Sequence, residues 1–399
     1  MKKEKMAKIV ALVFSLLLMI AAFSACIPDT KPESTPEESV TESIETAAPS
    51  EESEEEPSSE DIVPKTAVDH AGNEITVPEE INRIVVCDIY PLPSILTVFF
   101  DSAEKIVGMA GPSMVAAKNS LLSELYPAIL DADTSFINGT EVNIEELLKL
   151  NPDIVFYNAG NKALGQKLKE AGLTGFAMSA GKWGYDALET LDQWIATFDQ
   201  LFPKNAKAEI VEKYGKDVQA LVNERIGKLS EKSSALFLFQ YNENQVVVNG
   251  RPSFGSWWSE AIGLNNTVSE KTEANSLPVT MEEVYAMDPD ILFITNFNTA
   301  SVDDILNNAV GSYDWSPIKA VKNHRVYKMP LGMYRSYTSG VDSPVALLWL
   351  AKAAYPEAFE DVDITSYTKD YYSAVFGITL TDDQANSIFS PDAAAGKMN

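Results

Sequence analysis

Two stretches of this 399-residue chain repeat each other without a gap. Asn143-Ile-Glu-Glu-Leu-Leu-Lys-Leu-Asn-Pro-Asp-Ile-Val-Phe156 aligns with Thr280-Met-Glu-Glu-Val-Tyr-Ala-Met-Asp-Pro-Asp-Ile-Leu-Phe293. Each copy opens on a polar residue suited to cap a short helix. Two acids then fill the first turn, where the helix dipole favours them, and a Pro-Asp break releases an apolar strand. Two such units in one chain point to two lobes of similar build.

The stretch from Lys65 to Asn399 exceeds the size at which a single core usually keeps growing, which also calls for two lobes. Further apolar runs at Arg83 to Cys87, Lys105 to Met109, Ser234 to Phe239 and Arg325 to Met329 alternate with helical stretches. That pattern predicts mostly parallel sheets covered on both faces. Between the lobes, Ile210, Val211, Tyr214, Val218, Leu221, Val222, Ile226 and Leu229 recur at three- and four-residue steps. They predict one amphipathic helix over Lys204–Leu229, about 40 Å long at 1.5 Å per residue, acting as a strut. The expected fold class is therefore α/β, with two Rossmann-like lobes at 65–190 and 230–399, a connecting helical segment at 191–229, and a ligand cleft between the lobes.

The N-terminus predicts export. Lys2, Lys3, Lys5 and Lys8 precede an unbroken run of apolar or small residues from Ile9 to Ala25, short for a membrane span and closing on small residues. The ending Ser24-Ala25-Cys26 resembles a bacterial lipobox, with Phe23 in place of the usual Leu. Residues 1–25 are thus expected to be a lipoprotein signal peptide, with Cys26 as the lipidated new N-terminus anchored to the membrane. Residues 26–64 follow as an acidic tether rich in Glu, Ser, Thr and Pro. From Ile27 to Pro64 there are 13 acidic residues against one Lys, a composition too charged and too poor in apolar residues to order itself. From Lys65 onward 44 acidic residues face 26 basic ones, which makes nucleic acid and anionic lipid poor partners. The remaining cysteine, Cys87, sits in an apolar run as a core residue. No disulfide is expected.

The opening Val68-Asp-His-Ala-Gly-Asn-Glu-Ile-Thr-Val-Pro78, the runs Arg83-Ile-Val-Val and Lys105-Ile-Val-Gly108, and the paired Pro-Asp-Ile strands carry a family likeness. So do Ser256-Trp-Trp-Ser-Glu-Ala-Ile-Gly-Leu-Asn265 and Leu348-Trp-Leu-Ala-Lys-Ala-Ala-Tyr-Pro-Glu357. Together they resemble the helix-linked solute-binding proteins of ABC importers for iron-siderophores, haem, cobalamin and molybdate, over roughly Lys65 to Phe389. The resemblance implies two α/β lobes with ligand held between them, a permease dimer with its ATPase as partner, and one Glu per lobe docking into basic sockets. Glu145 and Glu282 match those positions. Equivalent carboxylates on two lobes suit a pseudo-symmetric partner offering Arg on each side, whereas a favourable charge at a helix N-terminus is the local alternative, preferred for Glu146 and Glu283.

In open parallel sheets ligands sit beyond the carboxyl ends of strands. The candidates there are Tyr90, Ser113, Met114, Tyr157, Asn158, Gln240, Tyr241, Arg251, Phe254, Trp257, Asn296, Tyr334, Arg335 and Tyr337, a set rich in aromatics and amides. Of the five arginines, Arg251 and Arg335 fall in these loops, where a guanidinium fork suits a carboxylate, catecholate or oxyanion. A surface ion pair is the competing use. Trp257 and Trp258 point different ways on a helix, so at most one faces ligand. His70 and His324 are the only histidines and lack a nearby partner, so no bare imidazole-rich metal site and no cofactor are expected. No nucleophile elbow, phosphate-cradling Gly-rich loop or His-Glu helix motif is present, so no enzymatic chemistry is expected. The reading is of a monomeric, extracytoplasmic, lipid-anchored receptor, with a Gram-positive surface favoured over a periplasm. It captures an iron-siderophore or related chelate, and the alternatives are a molybdate or tungstate receptor and a two-lobed sensor without transport.

Overall fold

The computed structural model describes residues 65–204, 207–268, 270–272 and 274–398. The expected signal peptide, the lipidation site Cys26 and the tether 26–64 lie outside the described residues. Among the described residues no helix is long and apolar enough to cross a membrane.

The first strands, β1 (Thr66–Val68) and β2 (Glu74–Thr76), form an antiparallel hairpin. Its turn is held by Asp69, whose Oδ1 accepts the backbone N–H groups of Ala71 and Asn73. The first sheet comprises β3 (Ile84–Val86) and β4 (Ile106–Met109), then, after a small β5 (Ile137–Asn138) and β6 (Glu141–Val142) pair, β7 (Ile154–Asn158) and β8 (Gly175–Met178). Its order is β4-β3-β7-β8, parallel throughout. β3 is buried along its whole length, as a strand covered on both faces must be.

The second sheet contains β9 (Ser234–Asn242), β10 (Gln245–Asn249), β11 (Asn265–Asn266), β12 (Ser276–Val279), β13 (Ile291–Ile294) and β14 (Val326–Lys328). Its path is β12-β10-β9-β13-β14, with β11 beside β9. β9, β11, β13 and β14 are parallel, as expected, but β10 runs antiparallel to both β9 and β12. β9 continues past the expected end at Phe239 because it folds back on β10 as a hairpin.

The two copies of the repeat form equivalent units. Asn143 Oδ1 accepts the N–H groups of Glu145 and Glu146 at the start of helix Ile144–Lys149, and Thr280 closes a capping box with Glu283 on helix Met281–Met287. Asn151 and Asp288, each before the proline, take positive φ angles of 44° and 37°. Strands β7 and β13 then enter interior positions of their sheets.

The expected connecting helix is present but shorter, and another precedes it: Ala187–Leu201 is followed by Lys207–Ile226, which lies within the expected Lys204–Leu229. The second has 20 residues, about 30 Å rather than 40. Val211 near its start joins the core of the first lobe, whereas Val218, Val222 and Ile226 join that of the second. This helix therefore spans both cores.

One expected boundary requires correction. Residues 230–399 do not form a single C-terminal lobe, because the helices Ile364–Phe376 and Asp382–Ser387 return to the first one. Tyr371, Tyr372, Val375, Phe376, Ala385 and Ile388 share a buried cluster with Ile84, Phe156 and Trp194. An amphipathic helix pattern reveals a buried face but not which core receives it.

Candidate functional site

The loops beyond the carboxyl ends of the two sheets bring part of the candidate set together. On the first lobe, Tyr90 follows β3, and its carbonyl accepts the Ser113 hydroxyl at 2.8 Å. Tyr90 lies within electrostatic reach of Arg335 on the second lobe. Burial and Asp88 raise its phenol pKa, and the guanidinium opposes that rise. The loop after β8 supplies Tyr185, whose ring meets Phe254 of the second lobe edge-on at 5.4 Å. From Phe254 a row of rings continues to Tyr337 (6.3 Å), then to Phe239 (5.4 Å) and Phe297 (6.2 Å). The Trp257 indole bonds to Asp186, and Trp258 is fully buried and donates to the Tyr337 carbonyl.

Arg335 ends this row. Its guanidinium lies 5.0 Å from the Phe297 ring centre and 5.4 Å from that of Tyr334. Nη1 donates to the Tyr334 hydroxyl at 3.1 Å, and Nε and Nη2 donate to the Ala395 carbonyl at 3.0 and 2.7 Å. Nη2 also reaches the Lys397 carbonyl at 3.0 Å. The loop bearing Arg335 is fixed by Asp342, whose carboxylate accepts the Met333 N–H at 2.7 Å and the Tyr372 hydroxyl. Complete burial pushes the Asp342 pKa up to about 6. Gly332 permits this approach, since a Cβ there would lie 2.4 Å from the carboxyl carbon. The facing loop after β13 is knotted by Lys328, which donates to the carbonyls of Thr295, Asn298 and Ala300 at 2.8–2.9 Å. Burial brings its pKa down to about 7.

Other candidates are placed elsewhere. Gln240 and Tyr241 belong to β9, paired with Val247 and Val246, rather than to a loop. Tyr241 is buried among Trp315 and Val284, bonded to Trp315 Nε1 and the Val310 carbonyl. Tyr157 packs beneath helix Lys162–Glu170 with Leu164 and Leu168, and Met114 joins the first-lobe core. Asn158 forms a turn, accepting Gly160 N–H while its own N–H donates to Asp88. Asn296 Nδ2 ties the carbonyls of Met329 and Pro330. Arg251 pairs with Glu260 at 3.2 Å.

Tyr185, Phe239 and Lys328 were not foreseen. Tyr185 follows β8, a four-residue strand that the sequence pattern does not announce. Phe239 and Lys328 read as ordinary strand residues.

Glu145 and Glu282 are exposed in the first turns of their equivalent helices. Their neighbours do local work, Glu146 pairing with Lys149 at 2.7 Å and Glu283 closing the Thr280 capping box. Two surface grooves of about 670 and 720 Å³ lie away from Arg335, one beside Glu282 and one between the β1–β2 hairpin and helix Lys162–Glu170. Among the described residues no group of three or more His, Cys, Asp or Glu side chains is arranged to hold a metal ion.

The profile of the periplasmic binding protein family matches residues 100–331. The molybdate-binding protein MolA of Haemophilus influenzae is 25% identical over 81% of this chain and 94% of its own length. An uncharacterized ABC transporter substrate-binding lipoprotein of Bacillus subtilis, YvrC, is 23% identical over 75% of this chain and 88% of its own. Among solved structures, a periplasmic solute binding protein from Veillonella parvula superposes with a TM-score of 0.71 at 30% identity, covering 82% of this chain and 97% of that one.

Proposed function

The chain belongs to the periplasmic binding protein family as a substrate-binding protein of an ABC importer, and from that premise we propose that it captures an iron-siderophore or related metal chelate. The observation that carries this reading is the row of rings from Tyr185 through Phe254, Tyr337 and Phe297 to Arg335. Flat apolar faces suit an organic chelator, and a guanidinium fork suits its carboxylate or catecholate oxygens. Capture is non-covalent, and ligand stabilises a closed arrangement by binding it more tightly than the open one. Glu145 and Glu282 dock on the permease, and lipid on Cys26 holds the receptor at the membrane, a reading supported by the lipoprotein designation of the Bacillus relative.

A second reading, capture of molybdate or tungstate, draws on the Haemophilus relative and on the hydroxyls of Ser336 and Ser339. Both are buried on the Arg335 loop without a hydrogen-bond partner among the described residues, as donors for a small oxyanion would be.

Thermal shift of the purified protein against ferric siderophores, haemin, cobalamin, molybdate and tungstate separates the two. Ligand at a hundredfold its dissociation constant should stabilise by about 2.7 kcal/mol. A response to one chelate is expected. A response to the oxyanions alone would replace the first reading with the second, and silence across the panel would remove both.

A further inference from the structure

We propose that the turn Ala393–Gly396 and the residues beside it occupy the ligand cleft as an internal stand-in for an anion, which ligand must displace from Arg335. The inference rests on the reading of this cleft as the ligand site. Arg335 is 1% exposed, and none of its hydrogen bonds goes to a carboxylate; they end on the Tyr334 hydroxyl and on the carbonyls of Ala395 and Lys397. A buried cation is ordinarily matched by a counter-charge, because neutral acceptors recover only part of its lost hydration. Here two carbonyl oxygens lie against Nε and Nη2, the edge of the fork that would receive the paired oxygens of a carboxylate or oxyanion.

The turn is built to sit in this place. Ala395 is fully buried, and a Cβ at Gly396 would lie 2.0 Å from the Asn298 carbonyl oxygen, so only glycine allows the approach. Asp392 Oδ1 accepts Ala394 N–H at 2.7 Å and starts the turn. On its other side the turn packs against helix Gly111–Lys118 of the first lobe, which begins at the carboxyl end of β4. It is thereby wedged between the lobes where ligands of such sheets lie. It joins no sheet, so its departure would break neither lobe's ladder of strands. The ligand class that follows is one presenting two anionic oxygens in a plane, and the expelled turn couples ligand entry to loss of a contact bridging the lobes.

The test titrates molybdate and ferric citrate by calorimetry into the full chain, the Gly396→Val variant and a chain stopped after Ser390. Hydrogen exchange across residues 391–398 is followed in the full chain. Both variants should bind at least one probe ten-fold or more tighter than the parent, and probe should deprotect 391–398 in the parent, a readout that needs no variant to fold. Equal affinity in all three chains with 391–398 still protected would overturn the proposal and leave the cleft reading standing. Absence of binding to any of the three chains would overturn the cleft reading and the proposal together.

Discussion

The Asp153 carboxylate accepts the backbone N–H groups of Asn82 and Arg83, each at 2.8 Å. Asp290, its counterpart in the second copy of the repeat, accepts the Ser234 N–H at 2.8 Å and the Ser234 hydroxyl at 2.9 Å. In each lobe the Pro-Asp break therefore begins its own strand and also caps the entry of the neighbouring one, β3 or β9. Replacing either aspartate by Ala should cost about 0.5–1.5 kcal/mol per hydrogen bond lost, the net worth of such a bond where water can reach the donors. The two losses should add, since the sites share no partner. Urea unfolding of both single variants and the double checks this.

Reversing Glu145 and Glu282 to Lys should abolish uptake by the intact importer while leaving ligand affinity unchanged, with a stability cost of about 0.3–1 kcal/mol each for a cation at a helix N-terminus. Both side chains are exposed in the first turns of helices Ile144–Lys149 and Met281–Met287. A fall in affinity measured on the isolated receptor would move these residues from docking to binding.

His70 carries a pH dependence. Its Nδ1 accepts the Ser179 N–H at 3.0 Å and its Nε2 faces the Thr197 hydroxyl at 2.8 Å, so the ring is held neutral. Burial first, and Lys182 second, lower its pKa to about 4 from 6.5. A depressed histidine contributes stability that is present above its unfolded pKa and is lost as pH falls through the folded value. The stability difference between the parent and His70→Gln should thus be largest at neutral pH and shrink between about pH 6.5 and pH 4.

Tyr372→Phe removes the hydroxyl that donates to the buried Asp342 carboxylate. An acid whose folded pKa is raised to about 6 favours the folded state at low pH and loses that contribution as pH rises from its unfolded value, about 4, through the folded one. The variant should lose about 1–3 kcal/mol, more at pH 8 than at pH 5. Because Asp342 positions the loop bearing Arg335, ligand affinity should fall with it. Chemical unfolding at the two pH values, with calorimetry at the higher one, measures both effects.

How far the sequence could be read follows from the range of each signal. The repeat, the helix caps at Asn143 and Thr280, and the interior strands β7 and β13 depend on neighbours a few residues apart, so periodicity and capping chemistry exposed them. The parallel first sheet and a helix passing between two cores followed from the same local patterns. Tyr90, Phe254, Tyr337 and Arg335 were reachable because the ends of predicted strands mark where loops gather.

The rest was decided by partners distant in the chain. The pairing of β9 with β10 took Gln240 and Tyr241 from a loop into a strand. An apolar helix face at Ile364–Phe376 fits either core, and packing beside Trp194 and Phe156 assigned it to the first. The sequence by itself determined that two α/β units exist and that acids stand at the head of each repeat. Tertiary structure alone decided that Arg335 meets the carbonyls of Ala395 and Lys397, because a guanidinium chooses acceptors by distance in space, and sequence separation carries no record of it.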